Sequence, residues 1–344
     1  MTRVSVCGSL NYDLVTFTGQ VPDGGETISA GKFETHAGGK GLNQTVALRR
    51  LLNEKDAVDV EMIGHVGDDA FGVQLKEILE SNGVDTSKVG TLKNGVSTGV
   101  ATILVEQSTG QNRILISEGA NGFTKYSSAE LDNIFPELRP DGPGNAGDMD
   151  HSFVVFQNEI PATIEIMRWL AENRPYLKIA YNPSPFKEVS SSDWALVDLL
   201  VVNEIEALQV LQSALSKTEV ADLMKTIENQ TIDGYKQIAL ELRALLSKKN
   251  SWGAVVITLG KNGSVFCSHD LPEVQYKPAI QVPEVIDTTG AGDTFLGGVV
   301  SKLCTHHTLT DAVDFATKAS SLGIQRSGAA ESIPSYQEVE NLCE

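Results

Sequence analysis

The chain has 344 residues, 41% hydrophobic and 21% charged, which suits a globular protein of one large domain or two ordinary ones. Lys and Arg number 27 against 45 Asp and Glu, a net charge of −18 that disfavours nucleic-acid backbones and anionic membranes. Any anionic cosubstrate must then be held by local amides and cations.

From the N-terminus, 4–7 alternates as a strand and leads into Gly8-Ser9-Leu10-Asn11-Tyr12-Asp13. Residues 14–37 alternate at Val15 and Phe17, turn at Pro22-Asp23-Gly24-Gly25 and resume at Ile28 and Phe33, the pattern of an antiparallel hairpin. A helix over 42–52, a strand over 61–66 and a helix over 70–82 follow from their apolar spacing. A second hairpin is expected over 97–117, with Val100 and Thr102 facing Ile114 and Ile116. Beyond it, strands at 153–157, 177–181, 199–202 and 255–259 are interleaved with helical spacing at 162–173 and 295–304. This alternation predicts βαβ units around a parallel sheet, with the hairpins projecting as a small sheet. Gly/Pro-rich 139–150 reads as a surface loop, and 213–250 as added helices, with Ile238, Leu242 and Leu245 on one face. Cys7, Cys267, Cys304 and Cys343 form no CxxC pair, and no window has the length of a membrane span. Reduced thiols in a cytoplasmic protein are expected, with nuclear entry left open.

Three features can carry chemistry. Asp287-Thr288-Thr289-Gly290-Ala291-Gly292-Asp293-Thr294 ends in a helix, so the amides of Gly290, Ala291 and Gly292 offer an anion site with Asp293 as a base at its mouth. Taken alone, the same pattern fits an Asp N-cap after a glycine turn. Ala37-Gly38-Gly39-Lys40-Gly41-Leu42-Asn43-Gln44 also opens a helix; its Asn both donates and accepts, which suits hydroxyls better than phosphates. Polar residues follow several strands: Asn11 and Asp13, Asn158 and Glu159, Asn182, Asn203 and Glu206, and Thr258. They sketch a cleft beyond the strand C-termini. His306-His307 reads as a solvated loop.

Asn11-x-Asp13, Gly38-Gly39-Lys40-Gly41-x-Asn43-Gln44, Gly67-Asp68-Asp69-x-Phe71-Gly72, Asn203-x-x-Glu206 and the 287–294 run, in this order, resemble the ribokinase (PfkB) sugar-kinase family over about residues 3–335. The resemblance implies a single ribokinase-like three-layer α/β domain, 1–344, with a mostly parallel central sheet. A β-sheet lid, from about 14–37 and 97–117, would pair with a second lid in a homodimer. It implies transfer of the ATP γ-phosphoryl group to the 5-hydroxyl of ribose, with Asp293 as base and Gly290, Ala291 and Gly292 as anion hole. Asn11, Asp13, Gly39, Lys40, Asn43 and Glu159 would hold the sugar. Asn203, Thr258, Gly260, Gly263, Gly292 and Thr317 would contact ATP, and Glu206 would organise Mg²⁺ through water. Thr317 stands where the family often carries Asn. A K⁺ site would draw on Asp287, Thr289, Gly323, Arg326, Gly328 and Ser332, several through backbone oxygens. Another sugar or a nucleoside as acceptor is the alternative within the fold; a catalytically silent binding regulator is the alternative outside it.

Overall fold

Runs such as Val154-Val155-Phe156 are buried on both faces, so the strands that carry them must lie inside a sheet covered by helices on either side. The computed structural model describes residues 2–109, 111–137, 151–215, 217–229, 231–246 and 252–342. The 139–150 loop and Cys343 lie outside them. In chain order the strands are β1 (Thr2–Cys7), β2 (Asn11–Thr18), β3 (Lys32–Gly38), β4 (Val58–Gly67), β5 (Val89–Leu92), β6 (Gly99–Glu106), β7 (Asn112–Ser117), β8 (Phe153–Phe156), β9 (Lys178–Tyr181), β10 (Leu199–Asn203), β11 (Ala254–Thr258), β12 (Ser264–Ser268) and β13 (Gln275–Lys277). The helices are α1 (Lys40–Arg50), α2 (Ala70–Ser81), α3 (Ser128–Ile134), α4 (Thr163–Asn173), α5 (Glu204–Ala214), α6 (Lys217–Asn229), α7 (Thr231–Leu245), α8 (Ala291–Leu303), α9 (Leu309–Gly323) and α10 (Tyr336–Glu340).

Nine strands form the main sheet in the order β13-β12-β11-β10-β9-β8-β1-β4-β5. From β11 to β5 every pair is parallel, and β12 and β13 add an antiparallel edge. Val4, Val6 and Val155 point into a core shared with α1, α2, α8 and α9, while Val154, Phe156 and Leu200 point into one shared with α3, α4, α5 and α7. Each such side chain contributes about 1.5–3 kcal/mol by leaving water, so a charge at Val155 would break the three layers. Small residues set the approach of the helices. A Cβ at Gly297 would lie 2.4 Å from Ala47 Cβ, and one at Gly298 2.9 Å from Ala316 Cα, so α8 wedges between α1 and α9.

A separate four-stranded sheet has the order β3-β2-β6-β7. The expected hairpin over 97–117 is present as antiparallel β6 and β7. The first is present too, as antiparallel β2 and β3, but β2 starts at Asn11, β3 at Lys32, and 19–31 between them lies outside any strand, Ile28 included. The chain leaves the main sheet at Gly8–Leu10, so Asn11 and Asp13 belong to the small sheet and do not end a main-sheet strand. β2 and β6 pair in parallel, a long-range contact that local alternation cannot announce.

Residues 213–250 supply α6 and α7, with Ile238 and Leu242 fully buried and Leu245 half-buried. Helices α1 and α8 begin earlier than apolar spacing suggests, at Lys40 and Ala291, because their first turns are polar and glycine-rich. Cys7, Cys267 and Cys304 are buried free thiols. Among the described residues no helix is long and apolar enough to cross a membrane.

Candidate active site

One cleft opens beside the N-terminus of α8 and encloses about 400 Å³. Thr258, Gly260 and Gly263 line it from the β11–β12 turn, Ala291 and Gly292 from α8, and Thr317 from α9. Its remaining wall is largely apolar: Ile280, Val282, Val285, Phe295 and Ile324. Sequence reading missed the stretch around 279–286, which forms no helix or strand; its signal is an apolar run between prolines, with Val285 and Ile286 still more than half exposed. Thr317 lines the cleft with its hydroxyl donated to Val313 O at 2.7 Å. Asn203 pairs in register with Thr258 but does not line the cleft. Its Oδ1 caps α5 by accepting from Glu206 N at 2.8 Å. Glu206 is buried, and its Oε2 accepts from Asn203 N at 3.1 Å and from Asn182 Nδ2 at 3.2 Å.

Gly290 enters α8 with φ 72°, the left-handed conformation that glycine adopts at little cost. A Cβ at Gly292 would meet nothing within 4 Å, so that backbone faces open space. The Ala291 N–H, one of the three amides expected in the anion hole, donates to Thr288 O at 3.2 Å. Asp293 lies in the first turn and is not the N-cap. Its carboxylate is 7% exposed and accepts from Asn43 Nδ2 at 3.2 Å and Gln44 Nε2 at 2.9 Å, both on α1. Those bonds across the helix interface exclude the simple capping reading.

The residues expected to hold the sugar are tied to one another and to the start of α1. Glu159 Oε2 accepts from Lys40 N at 2.9 Å and from the Ser9 hydroxyl, tying the loop after β8 to the start of α1. Asn11 is buried, and its Oδ1 accepts from Asn121 Nδ2 at 2.7 Å; Asn121 also bonds both backbone groups of Leu10. Sequence reading missed Asn121, which sits in a one-turn 3₁₀ segment without a motif. Asp13 approaches Gly38 so closely that a Cβ there would lie 2.3 Å from its carboxylate. Burial pushes the Asp13 carboxyl up to about 6, with Glu159 and Glu331 adding to the rise and His36 opposing it. Burial alone would lower the Lys40 ammonium, but Asp293, Glu159 and Glu206 outweigh it and hold its pKa above the ordinary range. Gly39 carries φ 86°, allowing the backbone to turn into α1 beside these groups.

The residues expected around a monovalent cation also lie close together. Asp287 accepts from Thr289 N at 2.9 Å and from Gly328 N at 3.0 Å, joining the loop before α8 to the loop after α9. A Cβ at Gly323 would lie 3.9 Å from both Ser332 O and Thr294 Oγ1, and that buried hydroxyl has no partner among the described residues. Arg326 turns away to Glu338 at 2.6 Å. Arg50, which carried no motif, donates to Ala330 O at 3.0 Å and Ile333 O at 3.1 Å and shapes the same loop. His306 and His307 are exposed as expected; the His306 ring lies 3.8 Å from that of His151, and no metal-binding group of three occurs among the described residues.

The cleft reaches Gly292, one residue before the buried Asp293 that is bound to α1, as a small-molecule transferase would need. The model of the pfkB family carbohydrate kinases matches residues 1–336, and the chain belongs to that family. It is 38% identical over 346 residues to a ribokinase of Schizosaccharomyces pombe, covering 99% of this chain and 97% of that one. Among solved structures it is similar to the ribokinase of Cryptococcus neoformans in complex with ADP, with a TM-score of 0.78, 29% identity and 99% of each chain covered. It is also similar to the Arabidopsis thaliana ribokinase complexed with ribose and ATP, with a TM-score of 0.76, 25% identity, and 99% and 98% covered.

Proposed function

We propose that the chain transfers the γ-phosphoryl group of ATP to the 5-hydroxyl of ribose. The observation that carries this reading is Asp293, buried beside the open Gly292 backbone of the cleft and held by Asn43 and Gln44 of α1. Phosphoryl transfer asks the protein mainly for position and charge stabilisation. Asp293 takes the proton from the hydroxyl as it attacks, and the Gly290 and Gly292 amides stabilise charge on the transferred group at the positive end of α8. Asn11, Asp13, Gly39, Lys40, Asn43 and Glu159 hold the other hydroxyls. Asn11 has its carbonyl oxygen taken by Asn121, so it meets the sugar as a donor. Ionised Asp13 meets it as an acceptor.

ATP occupies the cleft, its adenine against Val282, Val285 and Ile280, with Thr258, Gly260, Gly263 and Thr317 around it. Asn203 reaches the phosphates from the adjoining strand end. The rigidly held Glu206 carboxylate fits a Mg²⁺ ion met through water, and that ion would neutralise charge on the phosphate oxygens. Thr294 Oγ1, Ser332 O and the Asp287 carboxylate are hard oxygen donors that fit K⁺, with Thr289, Gly323, Arg326 and Gly328 contributing backbone oxygens. A cation there would order the loop that precedes the anion site.

The small sheet acts as a lid that excludes water. Ile114 faces Ile103 across the lid and Ile116 faces Ala101, on the same side as Asp13, and Phe33, Ile114, Leu115 and Ile116 are all more than half exposed. Ile114 and Ile116 share one face, opposite Phe33 and Leu115; that Ile114–Ile116 face supports a homodimer through the lid, and Ile114→Lys should shift it to monomer in a sedimentation experiment. The reading of function is tested by mixing the protein with Mg-ATP and ribose and following phosphorus NMR. A new phosphomonoester resonance coupled to the C5 protons supports it, and no sugar phosphate would overturn it.

A further inference from the structure

Two glutamines, Gln44 on α1 and Gln157 just after β8, are fully buried between the layers. Buried amides are costly unless paired, and these two are joined end to end. Gln157 Nε2 donates to Gln44 Oε1 at 2.6 Å, and Gln44 Nε2 donates to Asp293 Oδ1 at 2.9 Å. An ionised carboxylate only accepts. Gln44 must therefore turn its nitrogen to Asp293 and its oxygen to Gln157, and that fixes the Gln157 amide as well. Gln157 Oε1 ends over Gly8, where a Cβ would lie 2.1 Å from it, so the chain after β1 holds the far end of the row by its shape. That terminal oxygen is buried with no hydrogen-bond partner, so the row gives up one polar contact to keep this direction.

We propose that Gln44 and Gln157 are positioning residues that set the orientation of the Asp293 carboxylate, an inference that rests on the reading of Asp293 as the base. Gln44 holds Oδ1 firmly. Oδ2, with only the longer 3.2 Å bond from Asn43, is the oxygen that receives the sugar proton. Both glutamines are fully buried and neither lines the nucleotide cleft, so both act through Asp293. Released from Gln157, the Gln44 amide keeps its nitrogen towards Asp293 but loses the bond that pins its oxygen, so amide and carboxylate shift together. Misplacing a reacting group by about 1 Å costs on the order of 10²-fold in rate.

The test compares Gln44→Met, Gln157→Met and the double variant, each close in size to the parent side chain and unable to hydrogen-bond in the row. Turnover of the parent on ribose, fructose and adenosine is measured first. An inactive parent overturns the reading of Asp293 and this inference with it. With an active parent, kcat should fall about 10²-fold in Gln44→Met and about tenfold in Gln157→Met, with sugar KM within about threefold. The double variant should fall no further than Gln44→Met, since the residues act as one row. It should also melt above Gln44→Met, because removing both partners of the inner bond leaves no unpaired Gln157 amide while Asp293 loses the same donor in each. Unchanged kcat in either folded single variant, or losses that multiply in the double, would overturn the relay while leaving the functional reading intact. If Gln44→Met does not fold, Gln157→Met decides alone, because it leaves both direct contacts to Asp293 in place.

Discussion

Asp69 and Thr98 are joined twice: Asp69 Oδ2 accepts from Thr98 N and Oδ1 from Thr98 Oγ1, both at 2.7 Å. The same Oδ1 caps α2 by accepting from Gly72 N at 2.8 Å. One carboxylate therefore starts helix α2 and anchors the chain one residue before small-sheet strand β6. Tyr12 of the small sheet adds a second tie, stacking on Phe71 of α2 at 4.3 Å. The Gly67-Asp68-Asp69-x-Phe71-Gly72 motif thus ties the small sheet to α2.

Asp69→Ala removes a helix cap and leaves the buried Thr98 amide unpaired, so it should cost about 2–3 kcal/mol of stability. Burial works to raise the Asp69 carboxyl, but its bonds from Thr98, Gly72 and Phe71 prevail and hold it below the ordinary range. Its stabilisation is therefore present above the unfolded pKa of about 4 and lost as pH falls through the lower folded value. Denaturant titration across pH 2–6 should show a shallower acid loss in the variant than in the parent.

Asp293→Asn keeps the side chain's size and removes the base. Turnover should fall by about 10²–10⁴-fold, with sugar and nucleotide affinity nearly intact. Steady-state kinetics paired with calorimetric binding separates the two, and turnover equal to the parent's would remove Asp293 from the chemistry.

Asp13 gives binding a pH dependence. With its carboxyl near pH 6, the ionised fraction rises from about one tenth at pH 5 to about nine tenths at pH 7, so sugar affinity should rise about tenfold over that range. The sign for stability without sugar is opposite. A folded value above the unfolded 3.8 means this group's contribution is present below about pH 4 and lost as pH rises through 6. Calorimetric titration with ribose checks the first statement, and Asp13→Asn should bind weakly and without the slope.

The cation loop predicts stabilisation as well as activation. K⁺ should raise both the melting temperature and kcat relative to Li⁺, and Asp287→Asn should abolish both effects, since Asp287 ties Thr289 to Gly328. Thermal unfolding in each salt gives a readout independent of turnover.

Much of this arrangement was legible before any coordinates. The β/α alternation announces a parallel sheet because its strands must be apolar on both faces, and the glycine runs at 38–41 and 290–292 announce helix starts open to ligands. Short elements were not legible: β12, β13 and the cleft wall around 279–286 lack periodicity long enough to read. The small sheet was legible as two hairpins but not as one sheet, because β2 meets β6 across most of the N-terminal third. Gln157 reads in the sequence only as the last residue of the strand over 153–157. Its role depends on a side chain that arrives from α1, and only the fold brings the two together.

The most direct measurement is ADP release with Mg-ATP, comparing ribose, fructose and adenosine, each in K⁺ and in Na⁺. The account predicts the highest turnover on ribose, stimulated by K⁺. Higher turnover on fructose or adenosine would contradict the assignment of the sugar, and ribose binding without turnover on any acceptor would contradict the assignment of a kinase.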